Sequence, residues 1–389
     1  MRRLTLYVSA LVALDLALWS AVVPLLPRLS HQLHLSQVES GLLLGGFSAA
    51  VLVSAVPVGH LADRIGMRAV TVAGSLLMAL ATVAFALAND FAVLLSARVA
   101  QGVASAVAWS AGLAWLAART PEHRRGSAIS IANASATGGM IAGPLLGGAV
   151  ASLAGTRATF LAAGAASLVL AGVGLTEADA RAHEGREASF APALRAAGSE
   201  PLIAASLVLI LLVATVGGTL QVLMPLHLGD HGVSQSTLGL LYAVGAGLGA
   251  ISITATGRAG DRYGRLGIGR IGCVALGVAV SVLLLPLGTE AFAVMLVSIV
   301  PVMSVLYGVG YPLGADGADH AGLGHGLVLG LVNVVWGAGA VIGPVFGAAL
   351  AAHAGDRAAY ATLVVLSLVG AATVTAVARS SRGMREQRA

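Results

Sequence analysis

Gly59-His60-Leu61-Ala62-Asp63-Arg64-Ile65-Gly66-Met67-Arg68 is a short hydrophilic turn between two apolar runs, and the chain contains it twice. The second copy, Gly257-Arg258-Ala259-Gly260-Asp261-Arg262-Tyr263-Gly264-Arg265, begins 198 residues later. Asn133, Gly139, Gly143, Pro144 and Gly147 return 200 residues on as Asn333, Gly339, Gly343, Pro344 and Gly347. Val23-Pro24-Leu25-Leu26 is echoed 201 residues on by Met224-Pro225-Leu226-His227, which pairs Asp15 with Val216. Three recurrences near one offset mark a duplicated half.

The runs around these repeats identify the solvent of the fold. The chain is 57% hydrophobic and 10% charged, with a mean hydropathy of +0.90, whereas a soluble domain carries about 25% charged residues. Apolar spans are expected near 4–26, 38–58, 69–88, 91–118, 127–153, 157–175, 201–228, 235–256, 268–288, 291–314, 326–351 and 358–378. That pattern predicts an all-α polytopic membrane protein, with twelve transmembrane helices in two pseudo-symmetric six-helix bundles. The bundles are 1–175 and 201–389, the second ending in a short basic tail. Between them lies a hydrophilic linker, 176–200, in which Phe190 and Leu194 would lay a short helix on the membrane surface. Duplicated membrane halves suit rocking about a site near the midplane.

The first span, after Arg2 and Arg3, is too long for the apolar core of a signal peptide and is read as a retained helix. All 22 basic residues are arginine. With the N-terminus inside, eighteen fall in inner segments and only Arg28, Arg157 and Arg357 in outer loops, which predicts both termini in the cytoplasm of a cell's inner membrane. The net charge of +5 is therefore topological and does not point to nucleic acid. The absence of lysine excludes Schiff-base chemistry, and the single Cys273 excludes a disulfide or a cysteine metal cluster. No metal, no cofactor other than protons and no enzymatic function are expected, and the chain is expected to be a monomer in the lipid bilayer.

Two ionisable residues lie deep in the apolar spans. Asp15 is about halfway along the first, where an acid costs about 2.5–3.5 kcal/mol unless it faces a partner or a polar cavity. Arg98 lies ~12 Å inward from Asp90 at ~1.5 Å per residue, within reach of a first-span carboxylate or its water network. Neither has an ionisable counterpart in the second half, so proton handling is assigned to the first half and an apolar wall to the second. Trp19, one turn from Asp15, suits an organic cation. Asn133, Gln221, Asn333, Trp336 and Tyr307 are candidates to complete the site. Glu39, His31, His34, His227 and His231 lie near outer span ends, as solvated residues or a proton relay.

These motifs resemble those of the major facilitator superfamily. Gly59, Asp63, Arg64, Gly66 and Arg68, Arg98-x2-Gln101-Gly102 in the fourth span, and Gly139-x3-Gly143-Pro144-x2-Gly147-Gly148 in the fifth look like its signatures, and the likeness covers about residues 4–378. The fifth-span motif and the first-span Leu14-Asp15…Val23-Pro24-Leu25-Leu26-Pro27 look most like the twelve-span drug:proton antiporter branch, which includes tetracycline exporters and vesicular amine transporters. Leu16 after Asp15, and Asn333 in place of an eleventh-span acid, argue against a monoamine substrate. The resemblance implies that Asp63 and Asp261, with Arg64, Gly257, Arg262 and Gly264, form latches near the starts of the eleventh and fifth spans. The glycines 139, 143, 147 and 343, with Pro144 and Pro344, are read as close-packing hinges.

The reading is a secondary transporter that exports a small hydrophobic cation in exchange for protons. The alternatives are an efflux permease for a neutral sugar, nucleoside or other metabolite, and a non-transporting membrane sensor.

Overall fold

The computed structural model describes residues 2–178, 194–196 and 199–386. The first half runs through α1 (Arg2–Leu33), α2 (Gln37–Ile65), α3 (Met67–Leu87) and α4 (Phe91–Val107). A π-helical turn (Ala108–Gly112) joins α4 to α5 (Leu113–Arg119), and α6 (Glu122–Thr176) follows. The second half holds α7 (Pro201–Asp230), α8 (Gln235–Tyr263), α9 (Arg265–Ser281), α10 (Thr289–Ala321), α11 (His325–Ala354) and α12 (Asp356–Glu386). Among the described residues, eleven helices are long and apolar enough to cross a membrane.

Eleven helices reconcile with twelve spans at Gly155. The 55-residue α6 is broken there, where φ is 87°. Gly355 marks the matching turn between α11 and α12 at φ 83°, so the break is itself part of the duplication, 200 residues apart. Gly66 (φ 100°) and Gly264 (φ 90°) close the α2–α3 and α8–α9 turns in the same way. A side chain at these backbone angles would be strained, which is why both copies of the Gly-Asp-Arg turn need glycine there.

Leu153, Val53 and Phe346 are 89%, 75% and 68% exposed, as suits helices whose outer faces meet hydrocarbon. Phe190 lies outside the described residues, and Leu194 is exposed in a three-residue helical stretch.

The chain divides into two compact units, Met1–Arg186 with Pro225–Ala243, and Glu187–Met224 with Val244–Ala389. Pro225–Ala243 joins the first unit through close backbone approaches. A Cβ on Gly229 would sit 2.3 Å from Pro27, one on Gly239 2.2 Å from the Pro144 carbonyl, and one on Gly148 2.5 Å from the Gln235 carbonyl.

Each unit contains the same glycine seam. A Cβ on Gly139 would lie 2.0 Å from the Ala13 carbonyl, and one on Gly143 2.3 Å from that of Ala17; Gly147 meets Ala21. In the second unit Gly339 meets Leu211, Gly343 the Thr215 carbonyl at 2.3 Å, and Gly347 Thr219. Thr219 also donates through Oγ1 to the Gly343 carbonyl at 2.9 Å. The pairs 13/211, 17/215 and 21/219 set α7 against α1 at an offset of 198. This corrects the offset of 201 expected from the Val-Pro-Leu-Leu echo: Pro225 matches Pro27, and Asp15 matches Val213 instead of Val216. The echo misleads because α1 carries two prolines three residues apart and α7 carries one. Val213 and Val216 are both fully buried, so the acid is unmatched in either register.

Candidate functional site

The seam fixes the height and rotation of α1, and α1 carries Asp15 into the interior of the first unit. Asp15 is 2% exposed. Its Oδ2 accepts two hydrogen bonds, from Ser105 Oγ and from Trp109 Nε1, each at 2.8 Å. Its Oδ1 is buried with no hydrogen-bond partner among the described residues.

Trp109 belongs to the π-helical turn, whose extra residue per turn re-aims the side chains that follow α4. The indole on the carboxylate is therefore Trp109. Trp19 is half-buried on α1 and, among the described residues, makes no hydrogen bond to Asp15. Ser105 and Trp109 were not singled out from the sequence. They stand seven and eleven residues beyond Arg98, on one helical face, and that spacing was the available signal.

Arg98 is fully buried and does not ion-pair with Asp15. Its Nη1 donates to Gln101 Oε1 at 3.0 Å, and Gln101 Nε2 donates on to Thr82 Oγ1 at 3.1 Å. The guanidinium lies over the Phe47 ring at 4.6 Å, while Nε and Nη2 have no hydrogen-bond partner among the described residues. Arg98 lies within electrostatic reach of Asp15, as expected, but its direct contacts are a cation–π contact and an amide on its own helix, because Gln101 is one turn away and needs no bridging. Gly102, next to Gln101, lets α4 approach α2: a Cβ there would be 2.3 Å from the Phe47 carbonyl.

The second-unit candidates fall into two pairs. Trp336 Nε1 donates to Tyr307 Oη at 3.1 Å, and Tyr311 Oη donates to Asn333 Oδ1 at 2.9 Å. These form a hydrogen-bonded ladder between α10 and α11, so the wall read as apolar is edged with aromatic hydroxyls. Gln221 is half-buried and Asn133 exposed, and neither side chain is hydrogen-bonded among the described residues.

Glu39 has a structural duty. It completes a capping box, in which Ser36 Oγ accepts from the Glu39 backbone N–H and Glu39 accepts from the Ser36 N–H at 2.8 Å. His31 pairs with Asp230 at 3.2 Å, His227 and His231 stack with ring centres 4.4 Å apart, and His34 is exposed. In the turn motifs, Asp63 and Arg64 are exposed, and Arg68 donates to the Leu175 carbonyl on α6. In the second copy, Asp261 accepts from Arg265 at 2.7 Å, Arg265 also pairs with Asp316 on α10, and Arg262 lies over Tyr263 at 5.3 Å.

Residues 8–321 match the family model of the Major Facilitator Superfamily. The chain belongs to this superfamily. Relatives among characterised proteins are similar over part of their length: Multidrug resistance protein 2 of Bacillus subtilis is 29% identical over 39% of this chain and 37% of its own. The mouse synaptic vesicular amine transporter is 33% identical over 36% of this chain and 28% of its own. The match spans only about a third of the length of these curated relatives. Among solved structures, a bacterial homologue of the human lysosomal transporter Spinster, inward-facing and unoccupied, superposes with a TM-score of 0.80 at 20% identity, covering 97% of this chain and 96% of that one. The nucleoside transporter NupG superposes at 0.77 and 15% identity, covering 96% and 98%. These superpositions show the major facilitator fold, and the family match places the chain among membrane transporters and not among enzymes.

Proposed function

We propose that this major facilitator transporter exports a small, hydrophobic, cationic compound in exchange for protons by alternating access, with Asp15 as the exchanging group. The observation that carries the reading is Asp15 itself. One oxygen is held by two donors and the other is unpartnered in a buried setting, so the carboxyl has a place for a proton and the charge to hold a cation when the proton has left. The names of the relatives, Multidrug resistance protein 2 and the synaptic vesicular amine transporter, support drug or amine efflux. The arginine distribution supports a cytoplasmic-membrane protein with both termini inside. The Gly-Asp-Arg turns then lie on the cytoplasmic side, where Asp63 and Asp261 serve as latches.

With one carboxylate, one proton exchanges for one monovalent cation and no net charge crosses. The pH gradient alone then drives export, at ~1.4 kcal/mol or about tenfold accumulation per pH unit. A neutral substrate would also draw ~2.3 kcal/mol per 100 mV from the membrane potential.

The ladder of Trp336, Tyr307, Tyr311 and Asn333 favours a second reading, in which a neutral, hydroxylated metabolite hydrogen-bonds to that wall. Proton release from purified protein in detergent, on adding a panel of lipophilic cations, separates the two. Release that disappears in Asp15→Asn supports cation:proton antiport. No release with any cation, together with binding of neutral metabolites, favours the second reading.

A further inference from the structure

His227 and His231 stand one turn apart on one face of α7, near its Asp230 end, in the segment that packs with the first unit. Their rings are stacked, with centres 4.4 Å apart and planes tilted by 31°. His231 Nδ1 is 2.7 Å from the His227 carbonyl oxygen. A carbonyl can only accept, so Nδ1 carries the proton, and Nε2 of the neutral ring holds a lone pair directed away from that carbonyl. A backbone carbonyl on one imidazole nitrogen is the usual support of a metal-ligating histidine.

His60, His320 and His353 make the same contact, each through Nδ1 to the carbonyl four residues back. Among the described residues, only His227 and His231 bring two imidazoles into contact. Two nitrogens on one tetrahedral Zn²⁺, at ~2.0–2.1 Å each, lie about 3.4 Å apart. Rings with centres at 4.4 Å reach that separation through their side-chain torsions, without moving the helix. His231 is exposed and His227 half-buried, so an ion reaches the pair from solvent. The Asp230 carboxylate, next to His231 and 3.2 Å from His31 Nε2, adds negative charge nearby. Among the described residues no three His, Cys, Asp or Glu side chains converge, so the pair supplies two ligands and water completes the shell.

We propose that His227 and His231 form a two-histidine chelate for a divalent transition-metal ion, Cu²⁺ or Zn²⁺, on the last turn of α7. The ion bridges one helical turn, and that turn contains Gly229, whose backbone meets Pro27 of α1. Binding therefore holds the end of α7 helical and stabilises its contact with α1. Both imidazoles bind the ion in their neutral form, so the ion displaces any proton they carry. A chain expected to hold no metal thus presents one bidentate site, since spacing alone does not show two rings in contact. The site stands apart from the antiport reading, in which neither histidine has a role.

The test is isothermal titration of the full chain, purified in detergent without a histidine tag, with Cu²⁺, Zn²⁺, Ca²⁺ and Mg²⁺. Cu²⁺ is expected to bind more tightly than Zn²⁺, and Ca²⁺ and Mg²⁺ not to bind, as a nitrogen site requires. His227→Gln and His231→Gln are each expected to weaken Cu²⁺ binding by about tenfold or more, whereas His353→Gln, which removes an isolated imidazole, stays within about twofold. Zn²⁺ is expected to raise the unfolding midpoint of the wild type and to leave those of the two glutamine variants at positions 227 and 231 unchanged. Electron paramagnetic resonance of the Cu²⁺-loaded wild type, which needs no variant to fold, is expected to show two coordinated nitrogens. Unchanged Cu²⁺ affinity in both variants, binding of Ca²⁺ as tight as that of Zn²⁺, or no saturable Cu²⁺ binding by the wild type overturns the site. A Cu²⁺ spectrum without two nitrogen ligands overturns it as well.

Discussion

Gly138 and Gly139 are adjacent on α6 and should respond to alanine with opposite signs. A Cβ on Gly138 meets nothing within 4 Å, whereas one on Gly139 lands 2.0 Å from the Ala13 carbonyl oxygen, 2.7 Å from its carbon and 2.9 Å from its Cα. Ordinary contact begins near 3.4 Å, so Gly139→Ala requires roughly 1.4 Å of helix separation in an interior packed too densely to absorb it locally. The opposing atoms are backbone and have no rotamer to change, which places the cost at the upper end of the overpacking range, about 3 kcal/mol, or on the order of 100-fold in the unfolding equilibrium. Gly138→Ala restricts the unfolded chain and fills open space, so it should be neutral or stabilising by up to about 1 kcal/mol. The same displacement reaches Asp15, two residues from Ala13: bonds of 2.8 Å to Ser105 and Trp109 stretched by about 1 Å are no longer hydrogen bonds. Denaturant or thermal unfolding in a fixed detergent reads the first effect, and substrate-driven proton release reads the second. Equal stability of Gly139→Ala and wild type, or equal loss in the two variants, would refute the claim that backbone contact at this seam positions the carboxylate.

Three further outcomes follow from the same geometry. Trp109→Phe keeps the ring and removes the indole N–H from Asp15 Oδ2, a bond to a charged acceptor worth about 1.5–3 kcal/mol; substrate-driven exchange should fall about tenfold or more, whereas Trp19→Phe should stay within twofold in the same assay. Glu39→Gln preserves the capping box and should leave both stability and the pH profile of transport unchanged, while Glu39→Ala should cost about 1 kcal/mol of stability; a displaced pH profile in Glu39→Gln would return Glu39 to a proton relay. Gly155→Ala imposes φ 87° on a side chain and should destabilise by about 1–2 kcal/mol, detectable as a lower unfolding midpoint in detergent.

The architecture was legible because its signals are local and repeated. Apolar length gave the spans, and the recurrence of glycines at a fixed offset showed that the same contacts are built twice. Gly139, Gly143 and Gly147 were recognisable as a close-packing seam from spacing alone, since only a missing side chain allows two backbones to touch. The partner of that seam was less visible. Alanine at 13, 17 and 21 carries no signal by itself, and two prolines in α1 offered two registers between which composition could not choose. Asp15 was readable because a lone carboxylate in an apolar helix is costly enough to demand a reason. Its donors, Ser105 and Trp109, carry a weaker signal: a serine and a tryptophan at helical spacing cost little in an apolar span and demand no partner.

That difference bears on how the carboxylate works. A carboxylate facing Arg98 directly would be held ionised by a neighbouring cation and would give up that state only at a large electrostatic cost. Here the guanidinium is turned toward Gln101 and Phe47, and Asp15 is held by two neutral donors on a single oxygen. Neutral donors orient the group without fixing its charge, and the unpartnered Oδ1 leaves room for either a proton or a substrate cation. A group meant to alternate between those two occupants needs both conditions, and an Asp15–Arg98 ion pair would have removed them. Arg98 acts on Asp15 electrostatically without a direct ion pair, and that arrangement is part of the case for exchange at this site; a variant that forces the two into contact should bind cations more weakly even though every polar residue of the site remains.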